Sequence, residues 1–380
     1  RLCCIAPVSL HSLNKKSTGM ANFVRSPNLQ SCRLTASSAM PKLHFFTQAD
    51  NQVPKKPKKA KNPQPAKETY RLTNWPEYNK ALIDRGFVTL WLTEDTLANW
   101  YHQGPRAPGG LFRYSDRCIQ AALALKAVFR LAFRQTQGLI QSVLATMKMT
   151  LQVPSYTQLC RRQAKAVAFS APVPAQDSIV EALHIVIDST GLKVYGEGEW
   201  KVKKHGADKR RTWRKLHLAI DEATNDIHAV ELTTNAVSDA EMVKPLLDDI
   251  EQSVAKVGAD GAYDQLKVYQ ELETRQIQPL IPPRVNAVIW TDEAGNDLVH
   301  PRNEAITQIE AIGLTAWKRQ CGYHRRSKAE TAMFRWKTSF GERLATRLLT
   351  NQQTEAQVKA GCLNRFSKLG MPKTVKRQPT

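Results

Sequence analysis

Three carboxylates stand out by position. Asp188 follows the apolar run Leu183-His-Ile-Val-Ile187, within Ile187-Asp188-Ser189-Thr190-Gly191. Asp260 follows a second such run, Val254 to Ala259, within Gly258-Ala259-Asp260-Gly261-Ala262-Tyr263-Asp264. Each run reads as a short buried strand, and an acid at a strand's end projects from the sheet rim, where open α/β folds place their sites. Singly, each aspartate reads as a turn or helix-cap residue; together, one per strand end, they point to a divalent-cation site. The third acid, Glu330, sits on a late helical stretch. Tyr323 lies seven residues before it, Arg326 four before and Lys337 seven after. At 3.6 residues per turn these four share one stripe, provided the helix begins near Tyr323. Ala329, Met333, Trp336 and Phe340 form the neighbouring, core-facing stripe. The plain alternative is a solvated face carrying an Arg326–Glu330 pair at i, i+4.

Elements must bring these acids together. Leu183 to Ile187, Leu216 to Ile220 and Ile227 to Leu232 read as three strands, the last two joined by the turn 221–226. Asp239 opens a helix, Val254 to Ala259 is a fourth strand, Tyr263 to Arg275 a helix and Pro279 to Pro282 a fifth strand. A three-strand meander followed by helix, strand, helix, strand describes a mixed α/β sheet flanked by helices, in the order of the ribonuclease H-like topology. There the first and fourth strands are parallel neighbours, which brings Asp188 and Asp260 together. In the same run, Asp264 is expected to cap the following helix, and Arg284 is a loop residue that could touch DNA. Leu344 to Phe366 reads as a terminal helix packing on this catalytic unit.

The front of the chain is helical. Trp75 to Arg85 and Thr93 to Trp100 are short helix candidates, and Asp116 is expected to cap a stronger one whose apolar face runs from Ile119 to Leu131. A second helix covers Gln135 to Met147. Ser155 caps a third that carries Arg161, Arg162 and Lys165. Three short helices ending in a basic one resemble a small all-α helix-turn-helix DNA-binding module, with Arg161 and Arg162 as candidate DNA contacts. The expected organisation is a basic tail and linker over 1–67, a helical DNA-binding region over 68–166, a linker over 167–182, the mixed-sheet domain that carries the three acids over 183–345 and a C-terminal helix and tail over 346–380.

Charge narrows the partner. The chain has 380 residues, with 55 Lys and Arg against 34 Asp and Glu, a formal +21. Such a balance argues for a polyanion, nucleic acid above all, and against an acidic metal buffer. Residues 1–67 hold twelve Lys or Arg and one acid, about half the excess. Within them, 1–39 pass either for a transit peptide or for upstream sequence ahead of a start at Met20 or Met40. The lysine- and proline-rich stretch that follows reads as a disordered DNA-binding arm or as a solvated linker. The seven cysteines show no zinc spacing, which fits reduced thiols in a cytoplasmic protein. No apolar run reaches transmembrane length, so no membrane association is expected. Between Trp200 and Lys215 lie eight Lys or Arg and one acid. Lys203, Lys204, Arg210, Arg211 and Trp213 in this hairpin are candidate contacts to a DNA backbone; the alternative is a solvated edge hairpin whose lysines discourage sheet pairing. No phosphate-cradling GxxxxGK[ST] occurs, so no nucleotide cofactor is expected.

The spacing Tyr323-x2-Arg326-x3-Glu330-x6-Lys337, with Asp188-Ser-Thr-Gly and Asp260-Gly-Ala-Tyr-Asp, resembles the DDE transposases of the bacterial insertion-sequence-five family, over about Tyr70 to Met371. The resemblance implies that Asp188, Asp260 and Glu330 are catalytic and ligate two Mg²⁺ ions, with Mn²⁺ able to substitute. It implies that Tyr323, Arg326 and Lys337 hold DNA phosphates beside the metal. It further implies nicking at element ends, joining of the freed 3′-hydroxyl to target DNA, and a homodimer or larger assembly working at the bacterial nucleoid. Residues 1–39 have no counterpart in that pattern. Two rival readings are a metal-dependent nuclease or junction resolvase that does not join strands, and a domesticated DNA-binding regulator that does not cut.

Overall fold

The computed structural model describes residues 70–104, 113–164, 182–194 and 213–376. Contacts divide the chain into residues 1–66 and 67–380; every described residue belongs to the second unit. The expected tail and arm, Lys165, and the basic hairpin from Trp200 to Thr212 lie outside the described residues.

A short strand, β1 (Tyr70–Leu72), precedes α1 (Trp75–Asp84), α2 (Glu94–Ala98), α3 (Asp116–Val128), α4 (Phe133–Thr146) and α5 (Tyr156–Gln163). The cap of α3 falls one residue before the expected Asp116: the Ser115 hydroxyl accepts from the Cys118 amide at 3.1 Å. Seven of the residues from Cys118 to Leu125 are buried, so α3 is a core helix rather than a one-sided surface helix. It stops at Val128, short of the expected Leu131, because Arg130 takes a left-handed φ of 52° and the Leu131 amide turns back to the Lys126 carbonyl. Ser155 does cap α5, in a capping box with Gln158. Residues 147–155 connect α4 to α5, longer than the three or four residues of a helix-turn-helix. The α4–α5 pair therefore lacks the tight turn that the sequence suggested.

The sheet follows, built from β2 (Leu183–Val194), β3 (Trp213–Asp221), β4 (Ile227–Thr234), β5 (Val254–Gly258) and β6 (Gln278–Leu280). Its order is β4-β3-β2-β5-β6, with β2, β3 and β4 antiparallel and β5 and β6 parallel to β2. β2 runs on through Asp188-Ser-Thr-Gly, past the strand end expected at Ile187. It pairs with β3 as far as Lys193↔Trp213 and then with β7 (Arg343–Leu344). Gly191 makes this possible, since a Cβ there would lie 3.2 Å from the Trp213 ring. Asp188 is therefore a mid-strand residue, not a strand-end one.

The remaining helices are α6 (Val243–Asp248), α7 (Leu266–Thr274), α8 (Pro301–Ile312), α9 (Leu314–Gln320), α10 (Ser327–Phe340) and α11 (Leu349–Leu369), and β8 (Thr374–Lys376) pairs with β1. Alternation along the strands divides the core. Val186, Leu192, Leu216, Leu218 and Leu232 pack with α3, α10, α11 and the front helices. Ile185, Ile187, Ala219 and Val257 pack with α6 and α7 on the opposite face. The helical front and one sheet face thus share a single hydrophobic core. Among the described residues no helix is long and apolar enough to cross a membrane, and Cys118, Cys160, Cys321 and Cys362 are free thiols.

Candidate active site

Parallel pairing of β2 and β5 ends at Val186↔Gly258. Asp188 and Asp260 each lie two residues beyond that pair, so they leave neighbouring strands at the same level. β5 has ended there and β7 does not join β2 until Lys193, which leaves this edge of β2 open between them. The site occupies that gap. The expected convergence therefore rests on strand register, although Asp188 itself is inside a strand.

Glu330 comes from the first turn of α10. The helix starts at Ser327; Tyr323–Arg326 form a separate 3-10 turn entered through Gly322 at φ 71°. The expected continuous stripe from Tyr323 is therefore broken between Arg326 and Ser327. Arg326 nonetheless bridges every acid. Its Nη1 donates to Glu330 Oε1 at 2.6 Å, its Nη2 donates to Asp188 Oδ2 at 3.0 Å, and the same Nη2 lies 3.8 Å from Asp260 Oδ2. Arg325, next to it, reaches Glu222 Oε1 at 2.8 Å and ties the turn to the β3–β4 connection.

Each carboxylate keeps unspent capacity. Asp188 Oδ1 accepts from the Ser189 amide at 2.9 Å, and Asp260 Oδ1 accepts from the Ala262 amide at 2.8 Å. Side-chain exposure rises from Asp188 at 14% through Asp260 at 38% to Glu330 at 61%. Burial raises the Asp188 pKa; Arg326 and the Ser189 amide oppose that shift, and Asp260 and Glu330 add to it. Burial works against the charge on Arg326, but Asp188, Tyr323, Glu330 and Asp260 outweigh it and hold its pKa above the usual value. Its buried Nε makes no hydrogen bond among the described residues. Arg326 is the internal counter-charge of a cluster that would otherwise repel itself.

Tyr323 packs against Trp317, ring centroids 6.3 Å apart, with the Lys318 ammonium 5.1 Å from its ring. Its phenol is held above the ordinary pKa by burial first, against Arg326 and with the three acids. Lys337 lies two turns along α10 from Glu330, half-buried. Trp213 covers Gly191 under the Lys193 ammonium, 5.7 Å from its ring. Lys203, Lys204, Arg210 and Arg211 lie outside the described residues. Arg161 is exposed on α5. Arg162 turns inward instead: it donates to the Tyr114 carbonyl at 3.0 Å and to Asp116 at 2.6 Å, with 11% of its side chain exposed. The structure thus gives Arg162 the work of joining α5 to the start of α3, in place of the expected DNA contact.

Asp264 departs further from expectation. It does not cap the next helix, because Gln265 occupies that position. Buried, it accepts from Arg302 Nε at 2.7 Å, the Arg284 amide at 3.0 Å and the Tyr269 hydroxyl at 3.2 Å. The Arg284 side chain in turn donates to the Gly261 and Ala262 carbonyls, 3.3 Å each, holding the loop that presents Asp260. Arg302 carries no local sequence signal, since its partner lies 38 residues away.

Residues 181–365 match a family model described as a transposase DDE domain, and residues 83–197 match a second model with the same description. Among solved structures, the chain is similar to a piggyBac transposase synaptic complex with hairpin DNA: 11% identity over 79% of this chain and 78% of that one, TM-score 0.32. It is also similar to a Drosophila P element transposase strand transfer complex (11% identity, 70% and 67%, TM-score 0.27) and to a pre-cleavage Mos1 transpososome (9% identity, 71% and 82%, TM-score 0.19). Those scores are too low to bear on the fold, which stands on the sheet order above. The two family matches together run from residue 83 to residue 365, and they identify the chain as one that carries the DDE domain of transposases.

Proposed function

We propose that the chain is an insertion-sequence transposase of the insertion-sequence-five type, which cuts DNA at the ends of its element and joins the freed 3′-hydroxyl to target DNA. The observation that carries this reading is the convergence of Asp188, Asp260 and Glu330, from three separate elements, on one guanidinium. The Tyr323, Arg326, Glu330 and Lys337 spacing supports it, as does the sheet order, which is that of a ribonuclease H-like fold.

DDE transposase domains generally use divalent metal ions. Among the described residues no three His, Cys, Asp or Glu side chains are grouped so as to hold an ion, and Arg326 stands where these acids meet. The donor chemistry fits even so: three carboxylate groups around one positive charge are a hard oxygen set. Asp188, Asp260 and Glu330 are the residues that would hold Mg²⁺, or Mn²⁺ in its stead, with Arg326 giving up part of its contacts. Bound there, divalent cations supply Lewis-acid activation of an attacking water or 3′-hydroxyl and stabilise the leaving oxygen.

The chain's own residues do the rest. The Ser189 and Ala262 amides hold one oxygen each of Asp188 and Asp260, aiming the other toward the site. Arg326 has the fork that grips a phosphate through two oxygens, and Lys337 offers a point charge on the same helix. Tyr323, backed by Trp317, gives the phosphate a fixed wall. Arg161 and the basic stretch around Lys203, Lys204, Arg210, Arg211 and Trp213 extend the contact along DNA. Holding two element ends at once calls for a dimer or larger assembly.

The test is an assay of oligonucleotides bearing the terminal inverted repeats with supercoiled plasmid, in Mg²⁺, Mn²⁺ or EDTA. Nicks with 3′-hydroxyl ends and joined products, both abolished by EDTA, are expected. Cleavage without joining would turn the reading to a metal-dependent nuclease, and specific binding with neither to a regulator.

A further inference from the structure

A second charged cluster shares no residue with the carboxylate site. Between α3, the end of α10 and the first half of α11 lies a cavity of about 130 Å³. One water needs roughly 10–15 Å³ of such volume, and drug-sized ligands take about 300 Å³ or more. The space suits one small group. Among the described residues its wall carries four cations, Lys126, Arg130, Arg343 and Lys359, against one acid, Glu355.

Glu355 has nothing left to offer. It accepts from the Ala345 amide with both oxygens at 3.0 Å, from the Thr346 amide at 3.1 Å, from the Thr346 hydroxyl at 3.0 Å and from Lys359 Nζ at 2.7 Å. Among the described residues Lys359 is the cation it holds by a hydrogen bond, and Lys126 feels its charge from farther off. The Lys126 ammonium lies 4.8 Å from the centre of the Phe133 ring and makes no hydrogen bond or ion pair among the described residues. Burial lowers its pKa, Glu355 opposing. Arg130 donates from Nε and Nη2 to the Thr338 and Ser339 carbonyls that end α10, at 2.9 to 3.2 Å, and Nη1 makes no hydrogen bond among the described residues. It does so from a left-handed backbone, where glycine or asparagine is the usual occupant. Arg343 is exposed on β7 and makes no ion pair among the described residues.

Three positive charges that make no ion pair among the described residues thus border one cavity that also has apolar walls in Leu123, Phe340 and Val358. Apolar walls lower the local dielectric and strengthen attraction for an anion. Guanidinium forks and an ammonium are the groups that bind tetrahedral oxyanions. We propose that this cavity binds one phosphate group, supplied either by a DNA backbone or as free phosphate. Its walls come from the helical front and from the helices behind the sheet, so an occupant would tie the two together.

The test uses the full chain. Millimolar inorganic phosphate is expected to raise Tm saturably over chloride of equal ionic strength, as a ligand of the folded state does. Phosphate ³¹P resonances are expected to broaden on addition of protein. Lys126→Met keeps the apolar stem without the charge, and Arg130→Gly keeps the left-handed backbone without the guanidinium. Both are expected to fold, as their own melting curves will report, and to lose the saturable shift and the broadening. If short duplex DNA abolishes the broadening in the unaltered chain, the backbone is the source; if the broadening persists, the ligand is free phosphate. Absence of both signals, or the same signals in both variants, overturns the proposal.

Discussion

Asp264 meets Arg302 at 2.7 Å with both side chains almost wholly buried, 1% and 7% exposed. Four residues earlier, Asp260 lies 3.8 Å from Arg326 and keeps 38% of its side-chain surface. Both are aspartate–arginine meetings within one short run of sequence, yet they are finished to different degrees. Arg302 also donates to the Val288 carbonyl at 2.7 Å and stacks 4.3 Å from the Trp290 ring, and Asp264 takes three donors. Around Arg326, one guanidinium serves three acids and its Nε makes no hydrogen bond among the described residues. A charge that builds structure has its hydrogen bonds filled, whereas a charge kept for chemistry retains room for another ligand.

The contrast predicts opposite responses to substitution. Asp264→Ala leaves Arg302 buried without its acid and should cost about 3–5 kcal/mol, read from urea unfolding; a loss below about 1 kcal/mol would erase the distinction.

A buried histidine on the far sheet face sharpens it through pH. His217 is fully buried and hydrogen-bonds Thr233 at 2.8 Å. Burial pushes its pKa down to about 4, with Asp239 opposing and Lys215 assisting. The unfolded histidine titrates near 6.5, so between these values the unfolded chain binds the extra proton. The stability this residue contributes is complete above about pH 6.5 and is lost as pH falls toward 4, on the order of 3 kcal/mol. His217→Gln should flatten that window in a pH series of denaturant midpoints; an unchanged slope would assign it to other groups.

Arg326→Gln should change stability by only about 1 kcal/mol, because two of its three acids are substantially exposed. Strand cleavage should fall by roughly 10²-fold in the same variant. A loss of several kcal/mol would make Arg326 a structural residue like Arg302. The smallest effect is expected at Lys337→Ala: folding unchanged, and the slope of log K against log salt for DNA binding lower by about 0.9, one phosphate contact. An unchanged slope removes Lys337 from the DNA.

Much of this was legible in the sequence where local pattern sufficed. The strand-and-helix alternation yields the sheet, and the 3.6-residue spacing places Ala329, Met333, Trp336 and Phe340 in the core. What escaped depends on distant partners. The first strand looks finished at Ile187 until Trp213 lies across Gly191 and the strand continues. Asp264 looks like a helix cap until Arg302 arrives from α8. Arg162 looks like a basic surface residue until Asp116 claims it. In each case side-chain chemistry is visible in the sequence, but the direction in which it is spent is set by tertiary contact.

The central claim is that Asp188, Asp260 and Glu330 act as one catalytic site. The direct measurement is cleavage and joining of terminal-repeat DNA by Asp188→Asn, Asp260→Asn and Glu330→Gln, each with its unfolding midpoint. Loss of both products in all three is predicted, with stability unchanged, or raised for Asp188→Asn because burial already disfavours that charge. Undiminished cleavage by any one of the three folded variants would contradict it.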